Sequence, residues 1–144
     1  MTTQQIIETL KNFIPFNEED PENDNESFFY KPMAELRLKE DFELVIEPIF
    51  KLIEKYPLID FGWPGPFVHT LESFVGHYED YLFESLKRRP TPLTVWMLNR
   101  IINQEKNEII KTNLIDRLLS LLRHPLIEKE TIDRIKDFVE YQNK

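Results

Sequence analysis

The sequence predicts an all-α protein: three stacked helix pairs of an α-solenoid, preceded by an N-terminal helix and an acidic loop. Three observations point there. Apolar residues recur at helical spacing along most of the 144 residues, and no segment alternates with the period of a strand. Only 3 glycines are present, too few for a turn-rich β protein. Three of the predicted helices also end alike, with a base two residues before a proline: Lys55-Tyr56-Pro57, Arg88-Arg89-Pro90 and Arg123-His124-Pro125. These prolines are 33 and 35 residues apart. Seven residues before them stand Phe50, Phe83 and Leu118, and four before them Ile53, Leu86 and Leu121. A period in the thirties is that of helical repeats, in which a pair buries its apolar face only by stacking on the next.

Residues 3–14 place Ile6, Ile7, Leu10, Phe13 and Ile14 on one helical stripe, which Pro15 closes. Residues 15–31 read as a long loop, and Pro32 suits the opening of a short helix because the first helical position needs no N–H. From Asp41 the stripe is wide (Phe42, Val45, Ile46, Ile49, Phe50, Ile53, Tyr56), with Pro48 inside it as a predicted kink. Residues 57–65 form a loop, and Pro66 starts a helix that Gly76 can end. The segment 77–89 closes on Lys87-Arg88-Arg89, cations that suit the negative end of a helix dipole. Thr91-Pro92 is a helix start, Thr as N-cap and Pro at the first position. The helix Leu93 to Asn103 that follows is apolar nearly all round, as a helix between neighbours is. Two amphipathic helices follow over 108–123 and 128–142, the first with Ile110, Leu114, Ile115, Leu118, Leu119 and Leu122 inward, the second with Ile132, Ile135, Phe138 and Val139. The predicted pairs are therefore 41–56 with 66–75, 77–89 with 92–103, and 108–123 with 128–142. The whole is read as a single domain, 1–40 carrying the N-terminal helix and acidic loop and 41–142 the three pairs.

Charge is placed unevenly. The chain is 41% apolar and 31% charged with a net charge of −8, a globular and not a disordered composition. Residues 1–60 hold 14 Asp and Glu against 6 Lys and Arg, so the entire surplus lies there. Its densest part runs from Asn17 to Glu26, with six acids and no base. Such a surface repels nucleic acid and anionic lipid and attracts a basic partner. The first residues lack the basic start and apolar run of a secretory signal, and no stretch has the length of a membrane span, so a cytoplasmic protein is the expectation.

Signatures of catalysis are missing. With 0 cysteines there is no thiolate nucleophile or thiolate metal site, and there is no Gly-rich phosphate loop or Gly-x-Ser-x-Gly turn. His69-x-x-Glu72 and His77-x-x-Asp80 each place two metal-ligand types one helical turn apart; Glu84 is available as a further ligand, but the other facing helix offers only Asn99 and Asn103. The residues expected at a partner surface are the acids Glu18, Glu19, Asp20, Glu22 and Asp24, the adjoining Phe28, Phe29 and Tyr30, and Trp63, His69 and Glu72. Acids steer a basic partner, and large aromatics on a loop stiffened by Pro and Gly anchor it. Phe61, in the same loop, is expected to fold back onto the core.

The stretch Asp60–Glu72, containing Pro64-Gly65-Pro66-Phe67-Val68-His69-Thr70-Leu71-Glu72, and the stretch Arg89–Asn103, containing Thr91-Pro92-Leu93-Thr94-Val95-Trp96-Met97-Leu98-Asn99-Arg100, resemble small bacterial proteins of HEAT-like helical build. Among these are immunity proteins encoded beside polymorphic toxins of the contact-dependent inhibition type. The resemblance spans roughly residues 40–142 and leaves the acidic segment outside it. It implies a non-catalytic protein that binds one cognate toxin and blocks its active site, with no cofactor, no catalytic residues and no direct contact with nucleic acid or membrane. Where the toxin is a basic nuclease domain, the acidic surface mimics a phosphate backbone. The alternatives are a helical-repeat adaptor for another protein or peptide and a metal-binding enzyme using His69, Glu72, His77 and Asp80.

Overall fold

The computed structural model describes residues 1–143 and is all-helical. Among the described residues the α-helices are α1 (Thr3–Asn12), α2 (Tyr30–Leu36), α3 (Glu43–Lys55), α4 (Gly65–Ser73), α5 (Glu79–Arg88), α6 (Pro92–Gln104), α7 (Glu108–Ser120) and α8 (Lys129–Gln142). Short 3-10 turns at Ser27–Phe29 and Leu121–Arg123 join the start of α2 and the end of α7. No strand occurs among the described residues, and none of their helices is long and apolar enough to cross a membrane. Packing divides the chain into two compact units, Met1–Tyr81 and a second that begins at Leu82, with the boundary inside α5.

The first unit is assembled from parallel and not hairpin neighbours. Thr2 opens α1 with a reciprocal cap: its hydroxyl accepts from the Gln5 N–H while the Gln5 side chain accepts from the Thr2 N–H. Ile6 and Leu10 then pack on α3, which buries Val45, Ile46, Ile49, Phe50, Leu52 and Ile53. Two hydrogen bonds fix the direction. Thr3 Oγ1 donates to Asp41 Oδ1 (2.6 Å) where both helices begin, and the Tyr56 hydroxyl donates to the Phe13 carbonyl (3.3 Å) where both end. The helix α2 packs on α4 in the same unit, and the Arg37 Nε donates to Thr70 Oγ1 at 3.1 Å between them. The predicted pairing of 41–56 with 66–75 is therefore not the principal one here. The loop between those helices carries the chain away, and α1 and α2 supply the apolar stripes that α3 and α4 need.

In the second unit α6 packs on both α7 and α8, and α7 on α8. The predicted start at Thr91-Pro92 holds: the Thr91 hydroxyl accepts from the Thr94 N–H and the Thr94 hydroxyl from the Thr91 N–H (3.1 and 3.0 Å), both side chains being fully buried. At one end Arg89 Nη2 donates to Glu128 Oε1 at 2.8 Å. At the other, Gln142 Nε2 donates to Asn99 Oδ1 (3.0 Å) and to Asn103 Oδ1. So α6 and α8 run the same way, with α7 returning between them in sequence. The expected inward set of α7 is only partly buried. Leu118 is, but Ile110 and Leu119 are exposed, and Ile109 is 75% exposed.

Candidate functional site

The acidic loop is ordered by its own side chains. Asn17 Oδ1 accepts from the Glu19 N–H (2.9 Å), and Asp20 Oδ1 from the N–H groups of Glu22 (2.9 Å) and Asn23 (3.1 Å). Asp24 Oδ1 accepts from the Ser27 N–H (2.8 Å) at the head of the 3-10 turn, and Asn25 Oδ1 reaches back to the Phe16 N–H (2.8 Å). These are Asx turns, the local bonds that Asn and Asp make in place of a backbone partner. The N–H donors favour the ionised carboxylate, so Asp20 and Asp24 are held below the ordinary aspartate range. Glu18, Glu19, Glu22 and Asp24 are exposed, and Asp20 is partly so.

An aromatic cluster seats this loop beside the second sequence-predicted segment. Phe29 is fully buried, with its ring centroid 4.7 Å from that of Phe67, 4.8 Å from Phe13, 4.9 Å from Phe28 and 6.1 Å from Phe61. Phe61 is buried as predicted and closes on Phe67 at 5.1 Å. Offset and edge-on rings at these separations add to their area of burial. One sequence expectation is corrected here: Phe29 is not available as a contact residue, because it is the ring on which the others pack. Phe28 and Tyr30, either side of it, are exposed.

Glu26 completes the join. Asp60 Oδ1 accepts from the Gly62 N–H (2.8 Å), and Gly62 adopts a left-handed φ of +103°. A Cβ at Gly62 would collide with the Glu26 carboxylate and the Gly65 backbone, so glycine is required both by conformation and by the acid lying against it. Desolvation and the Glu26 carboxylate together hold the Tyr30 phenol above its ordinary value. Trp63, preceding a cis proline bond, is 41% exposed on the same loop. The acids and Phe28, Tyr30 at the start of α2, and Trp63 are thereby carried by two segments that meet at Glu26 and at the Phe29–Phe61 contact. Glu26 itself was not singled out in the sequence, since its role rests on a glycine 36 positions away.

His69 is exposed and Glu72 half-buried, one turn apart on α4. His77 lies in the turn after α4 and meets the Phe42 ring edge-on at 5.3 Å, while Asp80 lies in the first turn of α5, so the two do not share one helix. Among the described residues no three His, Asp or Glu side chains converge where a metal ion would be held. Comparison with known protein families, curated proteins and solved structures gives no match for the chain.

Proposed function

We propose that this chain is a non-catalytic binding protein that docks its acidic and aromatic face onto a basic surface of another protein. The partner of best fit is a bacterial toxin, which the chain neutralises in the cytoplasm by covering its active site. The observation that carries the reading is the junction of the acidic loop with the Trp63 loop through Glu26 and the Phe29–Phe61 contact. It combines what a fast and tight inhibitor needs. Exposed carboxylates raise the rate of encounter with a basic cleft. Exposed rings held by a rigid cluster lose little freedom on docking and serve as anchors. The resemblance of residues 40–142 to HEAT-like immunity proteins supports the identity of the partner. A helical adaptor is the second reading, favoured by the exposed Ile109, Ile110 and Leu119 of α7.

The experiment is co-expression with the protein encoded immediately upstream, followed by stopped-flow association of the purified pair. A variant carrying Glu18→Gln, Glu19→Gln, Asp20→Asn, Glu22→Gln and Asp24→Asn keeps an acceptor oxygen at both Asx turns and removes five charges. The association rate should fall by about tenfold or more and lose most of its salt dependence. Trp63→Ala should instead act on dissociation. A rate that is unchanged in the five-fold variant defeats the steering role, and an upstream protein that neither binds nor intoxicates defeats the toxin reading.

A further inference from the structure

A second surface in the first unit has the opposite chemistry. Between α1 and α3 lies an open groove of about 680 Å³. Its floor is apolar: Ile7 and Leu10 come from α1, Leu44, Pro48 and Leu52 from α3. Leu44 stands in it 64% exposed, although α3 buries every other Leu, Ile, Val and Phe it contains. Pro48, inside α3, has no N–H to give the Leu44 carbonyl one turn earlier.

Charge differs between the two ends of the groove. Lys11 and Lys55 stand at the end where α1 and α3 finish and Glu43 where α3 begins, while Glu47 and Lys51 between them pair with each other at 3.7 Å, both exposed. Because the two helices run the same way, their dipoles add, and a third helix lies favourably between them only when antiparallel. A helix so laid brings its N-terminus to Lys11 and Lys55, with Lys51 one turn before Lys55, and its C-terminus to Glu43. Acids in a first turn and bases in a last turn are also what such a helix needs for its own stability. The span from Glu43 to Lys55 is about 18 Å at the helical rise, so the complementary segment is about a dozen residues long.

We propose that the groove between α1 and α3 docks an amphipathic helix of a partner protein, antiparallel to α3, with its acidic first turn on Lys11, Lys51 and Lys55 and its basic last turn near Glu43. This surface is separate from the acidic face and does not depend on it. The probe is a synthetic 14-residue helix with a leucine stripe, three acids in its first turn and three bases in its last, labelled for fluorescence anisotropy. Its control has the same composition with the charged ends exchanged. The forward peptide should bind about tenfold more tightly than the control, the sum of a few exposed ion pairs. The triple variant Lys11→Glu, Lys51→Glu, Lys55→Glu should reverse that preference, and Leu44→Asn, which removes the apolar contact without adding charge, should weaken binding of both by about tenfold or more. The altered side chains are exposed, and circular dichroism of each variant checks that it is folded. The five-fold acid variant should bind the forward peptide as the parent does. Equal affinity for both peptides, no binding of either, or a preference that survives the triple variant overturns the proposal. So does a dimer, seen by sedimentation, that Leu44→Asn dissociates, since the groove would then belong to a second copy.

Discussion

A run of six acids reads in the sequence as charge alone, yet two of its members have a second task that only their backbone neighbours reveal. Asp20 and Asp24 each hold a turn, and both ionise more readily than an ordinary aspartate for that reason. Their folded-state pKa values lie below the unfolded value of about 3.9, so their contribution is present above that pH and is lost as pH falls through the lower folded values. In an NMR titration the Glu22, Asn23 and Ser27 amide shifts should hold to below about pH 3.9 and then move together with the Asp20 and Asp24 carboxyl carbons. Movement already centred on pH 4 or above would show that the turns do not favour the ionised form. In the second unit, Thr131 is fully buried and its hydroxyl has no hydrogen-bond partner. An unmade bond of this kind costs about 1–3 kcal/mol in general, and valine has nearly the same shape. Thr131→Val should therefore leave denaturant stability unchanged or raise it by up to about 1 kcal/mol. A loss of that size would mean the hydroxyl is satisfied. No sequence signal distinguishes Thr131 from an exposed helix threonine. The burial of Phe61 was legible, because a ring among Gly and Pro has either a core or a partner to meet. Phe29 was misread as an anchor because three aromatics in a row do not say which one faces inward.

Helices are the most legible level, since periodicity and punctuation act over a few residues. The starts at Thr91 and after residue 107 follow from capping, and α6 shows the cost. Thr91→Ala removes the acceptor for the Thr94 N–H at a buried site and should destabilise the protein by about 1–2 kcal/mol in urea unfolding. Thr91→Ser, which keeps the oxygen, should restore most of this. If serine and alanine are equally damaging, the cap is not the source. One helix was half hidden. Residues 15–31 read as loop, yet Phe29, Met33 and Leu36 recur at i, i+4 and i+7 and are all buried, so the stripe of α2 begins before the proline taken as its start. The opposite error occurs in α7, where two members of the expected inward stripe, Ile110 and Leu119, are exposed. Periodicity states which residues share a face, not whether another helix covers it. The repeated spelling before proline is similar. Of the residues directly before the three prolines, Tyr56 donates to the Phe13 carbonyl, Arg89 pairs with Glu128, and the His124 ring bridges the Lys87 carbonyl and the Leu126 N–H. Because His124 Nδ1 accepts from that N–H, the proton sits on Nε2 and is donated to Lys87. Like spellings thus perform unlike tasks.

At the scale of the molecule the net charge of −8 hides two unlike surfaces in the first unit, one acidic and one apolar with charges of both signs at its rim, and only the acidic one is contiguous in sequence. The lysines of the groove come from α1 and α3, forty residues or more apart, so their convergence could not be read before the helices were seen to run parallel. The two surfaces should differ most in their response to salt. Raising ionic strength from 0.01 to 0.15 M shortens the Debye length from about 30 to about 8 Å. Encounter with a basic protein is governed by the field of the whole acidic loop at long range, so its association rate should fall by an order of magnitude or more over that interval. A helix in the groove is held first by Leu44, Pro48 and Leu52 and only then by contact pairs with the lysines. Its affinity should fall by no more than about threefold, since exposed pairs contribute little each. Measuring both on the same protein, by stopped flow and by anisotropy, separates the two kinds of recognition without any substitution. Parallel decline of the two would show that the groove binds by charge alone, and a flat association rate would show that the acidic loop does not steer.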